Sequence, residues 1–120
     1  MRSLLGFGGI AILAGLACSS NEPGSAGGYG CSSTEPNAVV KTIDPPNAHY
    51  SPDTTNISLT QKVCWENDGA VLHSVHFDLP DTTDVNLSPM SIYSRGFGVA
   101  GDYPFHCDYH STMKGVIRVR

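Results

Sequence analysis

From residue 38 onward, apolar side chains recur at every second position in short runs, and no stretch shows the three-to-four spacing of an amphipathic helix. Val39-Val-Lys-Thr-Ile43 is the first run, closed by Asp44-Pro-Pro-Asn47. Asn56-Ile-Ser-Leu-Thr60 alternates cleanly and predicts Ile57 and Leu59 on an inward face. Val63-Cys-Trp65 follows, ending in the turn Glu66-Asn-Asp-Gly69. Val71 to Asp78 reads as a strand with His73, Val75 and Phe77 on one face and Ser74 and His76 on the other. Leu79 to Pro89 reads as an acidic, turn-rich connection, and Ser91 to Val99 as a strand weakened by Gly96 and Gly98. Gly101-Asp-Tyr103 suggests a tyrosine corner, in which the phenol ties back to nearby backbone. Tyr103, Phe105 and Cys107 then face inward, His106 faces outward, and Pro104 implies an edge or unpaired position. Val116-Ile-Arg-Val119 closes the sheet. Many short strands separated by turns predict an all-β protein, an antiparallel Greek-key β-sandwich.

The first 37 residues follow other rules. Met1-Arg2 and the apolar run Leu4 to Leu16 have the charged and hydrophobic regions of a secretory signal, and the run is too short to span a bilayer comfortably. Leu13-Ala-Gly-Leu-Ala-Cys18 resembles a lipoprotein cleavage box, with Gly15 where Leu is usual, so Cys18 is the candidate lipidation site; simple cleavage of the signal is the alternative. Ser19 to Asn37 is rich in Ser, Gly and Pro, the composition of a flexible tether. The expected organisation is a signal peptide over 1–17, a linker over 18–37 and one domain over 38–120, exported to the periplasm or cell envelope and lipid-anchored to a membrane. A net charge of −4 argues against nucleic acid as a partner, since phosphate neutralisation needs a basic surface.

Chemistry concentrates in Tyr103-Pro-Phe-His-Cys-Asp-Tyr-His-Ser-Thr-Met-Lys-Gly115, which carries Cys107, His110 and Met113 at the spacing Cys-x2-His-x2-Met. A thiolate, an imidazole and a thioether on one loop form a soft donor set suited to copper in both oxidation states, and a blue-copper site needs one more imidazole. His73 supplies it by facing inward. Period-two alternation turns His76 and His106 away, while His49 and Met90 sit in no motif. Of the four cysteines, Cys18 and Cys107 have these assignments; Cys31 and Cys64 remain, and export permits a disulfide between them. The alternative is a free Cys31 in the linker and Cys64 as a small strand residue.

Gly101-Asp-Tyr-Pro-Phe-His-Cys107 with His110, Met113 and Gly115 resembles the copper-binding end of the cupredoxins, in particular the amicyanin and plastocyanin-like branch, where the Cys-to-Met loop is shortest. Val63-Cys-Trp-Glu-Asn67 and His73-Ser-Val-His-Phe77 fit the same pattern, and the resemblance covers roughly residues 38–120. The Gly-Asp turn usual before the third strand is replaced here by Thr60-Gln61. The resemblance implies one type 1 copper per chain, held by His73, Cys107 and His110 with Met113 axial, and an Asn67 that ties its own loop to the Cys-bearing loop. It implies a monomeric one-electron carrier meeting a redox donor and acceptor transiently. A closed four-ligand set leaves no place for substrate, so an enzyme is not expected. Multicopper chemistry would need His-Cys-His, but Asp108 follows Cys107; a binuclear site would need a second Cys where Ser111 stands. Copper trafficking or storage in the cell envelope is the alternative role. Asp78, Asp81 and Asp84 are read as a solvated charge run rather than a docking patch.

Overall fold

A computed structural model describes residues 30–31 and 37–120. The expected signal peptide, Cys18 and most of the linker lie outside the described residues. Nine strands follow in order: β1 (Asn37–Ile43), β2 (His49–Ser51), β3 (Thr54–Ile57), β4 (Lys62–Asn67), β5 (His73–Phe77), β6 (Asp84–Leu87), β7 (Ser91–Gly96), β8 (Gly101–His106) and β9 (Lys114–Val119). They form a four-stranded sheet in the order β2-β1-β4-β7 and a five-stranded sheet in the order β3-β9-β8-β5-β6.

The β-sandwich is the expected one, with one amendment to its pairing. β1 pairs with β4, and β3 with β9, in parallel, while the other pairings are antiparallel. Between β1 and β4 the chain visits the other layer as β3, and a strand re-entering its sheet after such a crossover arrives in the same direction.

Aromatic side chains fill the space between the layers. Trp65, fully buried, meets Phe77 and Phe105 edge to face with centroids 5.7 and 5.5 Å apart, and stacks on Tyr93 at 5.4 Å. Such contacts add about 0.5–1.5 kcal/mol each beyond simple burial. Gly115 lets the Phe105 ring lie against β9: a Cβ there would stand 2.5 Å from the ring and 2.9 Å from the Asp53 carbonyl oxygen. The Tyr103 hydroxyl donates to the Val99 carbonyl at 2.6 Å, as expected of a tyrosine corner.

Several expectations change. The third strand runs over Thr54–Ile57, and Leu59 is half-exposed because Ser58–Gln61 is a turn, closed by the Gln61 N–H on the Ser58 carbonyl. β4 continues through Asn67, past the predicted start of the turn. The connection after Leu79 contains β6, a polar strand of which only Leu87 is buried, paired along the outer side of β5. Pro104 is not on an edge strand: β8 lies between β9 and β5. Its ring stands where β5 has ended, and its carbonyl accepts the Asp78 N–H at 2.9 Å, so the missing donor interrupts no ladder.

Cys31 and Cys64 are joined by a disulfide, with Cα atoms 5.9 Å apart. It fastens the segment before β1 onto β4, and a closed loop of about 34 residues contributes on the order of 3–4 kcal/mol in the chain-entropy description.

Asp81 belongs to no free acidic run. It pairs with Arg95, whose guanidinium lies over Phe77 and Phe97 at 4.4 and 4.5 Å. The Arg95 hydrogen bond, helped by Thr83, lowers the Asp81 carboxyl from 3.8 to about 2. A depressed carboxyl stabilises the fold above its unfolded value and loses that contribution as pH falls through its folded value. Unfolding free energy should therefore drop by on the order of 1–2 kcal/mol through this pair between about pH 4 and pH 2, after allowance for screening. Urea titrations of the parent and Asp81→Asn should converge toward pH 2; a gap that stays constant across that range would contradict it.

Candidate metal centre

One end of the sandwich gathers chemistry from three parts of the chain. β1 ends and delivers Asp44; β5 begins at His73; β8 runs out at His106 and is followed by Cys107. The Cys107–Met113 loop is folded by its own backbone: Cys107 N–H donates to the Met113 carbonyl at 3.0 Å, and Met113 N–H to the His110 carbonyl at 2.9 Å. Those two bonds close the loop on itself. Cys107 is a free, buried thiol and Met113 is fully buried in the same cluster of core residues.

His73, Cys107 and His110 each offer a donor atom within 4.8 Å of the others. The His110 Nδ1 lies 3.5 Å from Cys107 Sγ, and the two imidazole centroids are 4.9 Å apart. His73 is fully buried, and its two nitrogens differ. Nε2–H donates to Asp44 Oδ1 at 2.9 Å, whereas Nδ1 is buried with no hydrogen-bond partner. With the proton on Nε2, that Nδ1 carries an unsatisfied lone pair. A buried acceptor left so costs free energy, and a metal ion would satisfy it. The residues therefore fit a soft or borderline cation, and two imidazoles, a thiolate and a thioether are the donors of a blue-copper centre.

Asp44 is the orienting group that sequence reading missed; Asp44-Pro-Pro-Asn47 gave only a turn signal. Its carboxylate accepts from the Ala70 N–H at 2.7 Å as well as from His73, and these two bonds, in that order, pull its pKa below the usual carboxylate value. Gly69 makes this approach possible, because a Cβ there would stand 2.5 Å from an Asp44 oxygen. A carboxylate behind a ligand imidazole fixes its tautomer and raises its donor strength.

Asn67 does not have the role that the resemblance implied. Its amide donates to the Val71 and Leu87 carbonyls, and its oxygen accepts the Gly69 N–H, so it braces the loop before β5. Ser74 makes the tie to the cysteine loop instead. Its N–H donates to Cys107 Sγ at 3.4 Å, and its hydroxyl accepts the Asp108 N–H at 2.8 Å. Ser74 points away from the core, as alternation requires, yet is buried beneath the Asp108 turn. Nothing in the sequence pattern distinguishes that from an exposed serine.

The remaining histidines stay apart from this centre. His76 is on the outer face, hydrogen-bonded to Asp108 at 2.8 Å; that bond raises the His76 pKa and lowers that of Asp108. His106 is bonded to Asp78, and His49 to the Asn47 carbonyl. Met90 is largely exposed.

A β-sandwich with a thiol and two imidazoles gathered at one end, and a buried thioether on the same loop, could hold one soft metal ion there. Solved structures place it more narrowly. A purple cupredoxin from Nitrosopumilus maritimus is similar over 69% of this chain and 99% of its own, at 20% identity and a TM-score of 0.60. An oxidised and reduced fern plastocyanin variant matches 69% of this chain and all of its own, at 24% identity and a TM-score of 0.61. A reduced amicyanin variant is 30% identical over 70% of this chain and 82% of its own, at a TM-score of 0.56. The first two show the fold; the third carries the sequence as well, and the chain belongs to the cupredoxin family. No protein-family profile and no curated protein matches it by sequence.

Proposed function

We propose that this protein is an exported one-electron carrier with one type 1 copper per chain, held by His73, Cys107 and His110 with Met113 as a weak axial donor. The observation that carries this reading is the buried, unpartnered Nδ1 of His73, a residue that offers a donor atom within 4.8 Å of those of Cys107 and His110. Amicyanin has been described in a reduced Cu(I) form and plastocyanin in both oxidised and reduced states. When bound, copper supplies a one-electron couple. The chain supplies a rigid frame acceptable to both states. Asp44 holds the His73 ring, the Ser74 N–H steadies the Cys107 sulfur, and burial keeps water from His73, Cys107 and Met113. His110 is only partly buried, and beside the site the part-exposed Val71 and Leu72 offer an apolar surface for transient redox partners. The likeness to cupredoxins supports a carrier rather than an enzyme.

Visible and electron paramagnetic resonance spectra of the copper-loaded protein test the centre, and self-exchange rates test the role. Slow self-exchange with ready release of copper to an apo-acceptor would favour trafficking or storage instead. Met113→Gln separates the axial donor from the other three. A thioether favours copper(I) relative to a harder amide oxygen, so the variant should stay coloured while its reduction potential falls. Each 59 mV or so is a tenfold change for a one-electron couple. A potential equal to the parent's would remove Met113 from the centre.

Export and anchoring rest on the apolar run Leu4 to Leu16 and the Cys18 box. Mass spectrometry of membrane-recovered protein should find a diacylglycerol-bearing N-terminal Cys18; a soluble product starting at or beyond Ser19 would leave export without the anchor.

A further inference from the structure

We infer that the outer face of the five-stranded sheet carries a second metal site, for a borderline divalent cation such as zinc(II), built from His76, His106 and Asp108. His76 on β5 and His106 on β8 are direct cross-strand partners, which places their side chains side by side on one face. Their rings lie 4.6 Å apart. Asp108, on the turn beyond β8, projects its carboxylate between them: Oδ1 is 2.8 Å from His76 Nδ1 and 3.4 Å from His106 Nε2. Tetrahedral zinc with bonds near 2.1 Å sets its donors about 3.4 Å apart. The Asp108 oxygen stands 2.8 and 3.4 Å from the two nitrogens, and all three donor atoms lie within 4.8 Å of one another.

The surroundings of His106 divide its two nitrogens. Its Nδ1 lies 2.7 Å from Asp78 Oδ1, which leaves Nε2, 3.4 Å from Asp108 Oδ1, as the nitrogen that would hold the ion. The carboxylate behind the ring is the orienting partner that metal-bound imidazoles ordinarily have. Asp84 adds a further carboxylate oxygen 3.6 Å from His76 Nδ1. Among the described residues Lys114, opposite His106 on β9, is the cation in register with this row. Asp78, Asp84 and Asp108 set three carboxylates against that one ammonium. All three donors are about a third exposed, so a bound ion keeps at least one position open to water. His73, Cys107 and His110 contribute none of these donors, and the site stands or falls independently of copper at the other one.

Zinc(II) counted by equilibrium dialysis of the metal-free protein tests it. The parent should take up two equivalents per chain. Cys107→Ser should keep the outer one, with zinc shifting the ring proton resonances of His76 and His106. The double variant His76→Gln/His106→Gln should lose one equivalent. Asp78→Asn, which replaces no ligating atom and leaves both rings in place, should weaken the outer zinc about 10- to 100-fold. Unchanged stoichiometry in the double variant, or unshifted His76 and His106 resonances in Cys107→Ser, overturns the proposal.

Discussion

Cys107→Ser should abolish the intense visible absorption of the copper(II) protein while leaving the sandwich folded. The colour arises from charge transfer between a thiolate and copper(II), and Cys107 is the free thiol among the described residues, the other two cysteines being bridged. Its Sγ sits 3.5 Å from His110 Nδ1 and accepts the Ser74 N–H. A hydroxyl in its place keeps the volume nearly constant and still accepts from Ser74. Packing loss is therefore small, and the frame around His73 and His110 stays. What disappears is the polarizable sulfur. Two imidazoles and an oxygen are harder donors, and copper(II) bound to them would give a pale, weakly absorbing centre. Visible spectra recorded with far-ultraviolet circular dichroism check both halves. A folded variant with the parent's colour would sink the assignment of Cys107 and the reading built on it.

The gathering of His73, Cys107 and His110 was legible in the sequence because these residues obey short-range rules. Cys107 and His110 lie on one loop, so their spacing alone brings them together. His73 follows from alternation along a strand whose inward partners, Val75 and Phe77, are unmistakably apolar. The supporting residues were not legible, because each acts across a long stretch of chain. Asp44 reaches His73 across 29 positions, and Ser74 reaches Cys107 across 33. Neither has a local signature beyond that of a turn former or a polar strand residue. Fold errors have the same origin. Leu59 looked inward because alternation cannot see that Gln61 closes a turn on Ser58. β6 looked like a loop because its outer-strand position asks for only one buried side chain, Leu87. Pro104 suggested an edge because a sequence does not show that a neighbouring strand stops one residue short of it.

His73→Ala should destroy the coloured site outright, whereas His76→Ala should leave it nearly unchanged. The two residues are three apart on β5 and differ only in the face they occupy. Pairing fixes that face: His73 lies opposite Leu87 on β6, and His76 opposite His106 on β8. His73 is fully buried, while the His76 side chain is 32% exposed and bonded to Asp108. Removing the His73 ring deletes one of three strong donors and leaves the Asp44 carboxylate without its imidazole partner. The gap opens onto the core, so stability should fall as well, by a few kcal/mol typical of a large buried truncation. Removing the His76 ring costs a surface hydrogen bond and leaves His73, Cys107 and His110 where they are. Copper titrations followed in the visible range and by paramagnetic resonance separate the two variants. A one-residue slip of β5 would exchange the faces of every side chain on it. Loss of colour in His76→Ala with retention in His73→Ala would therefore overturn the register of β5 and with it the whole donor set.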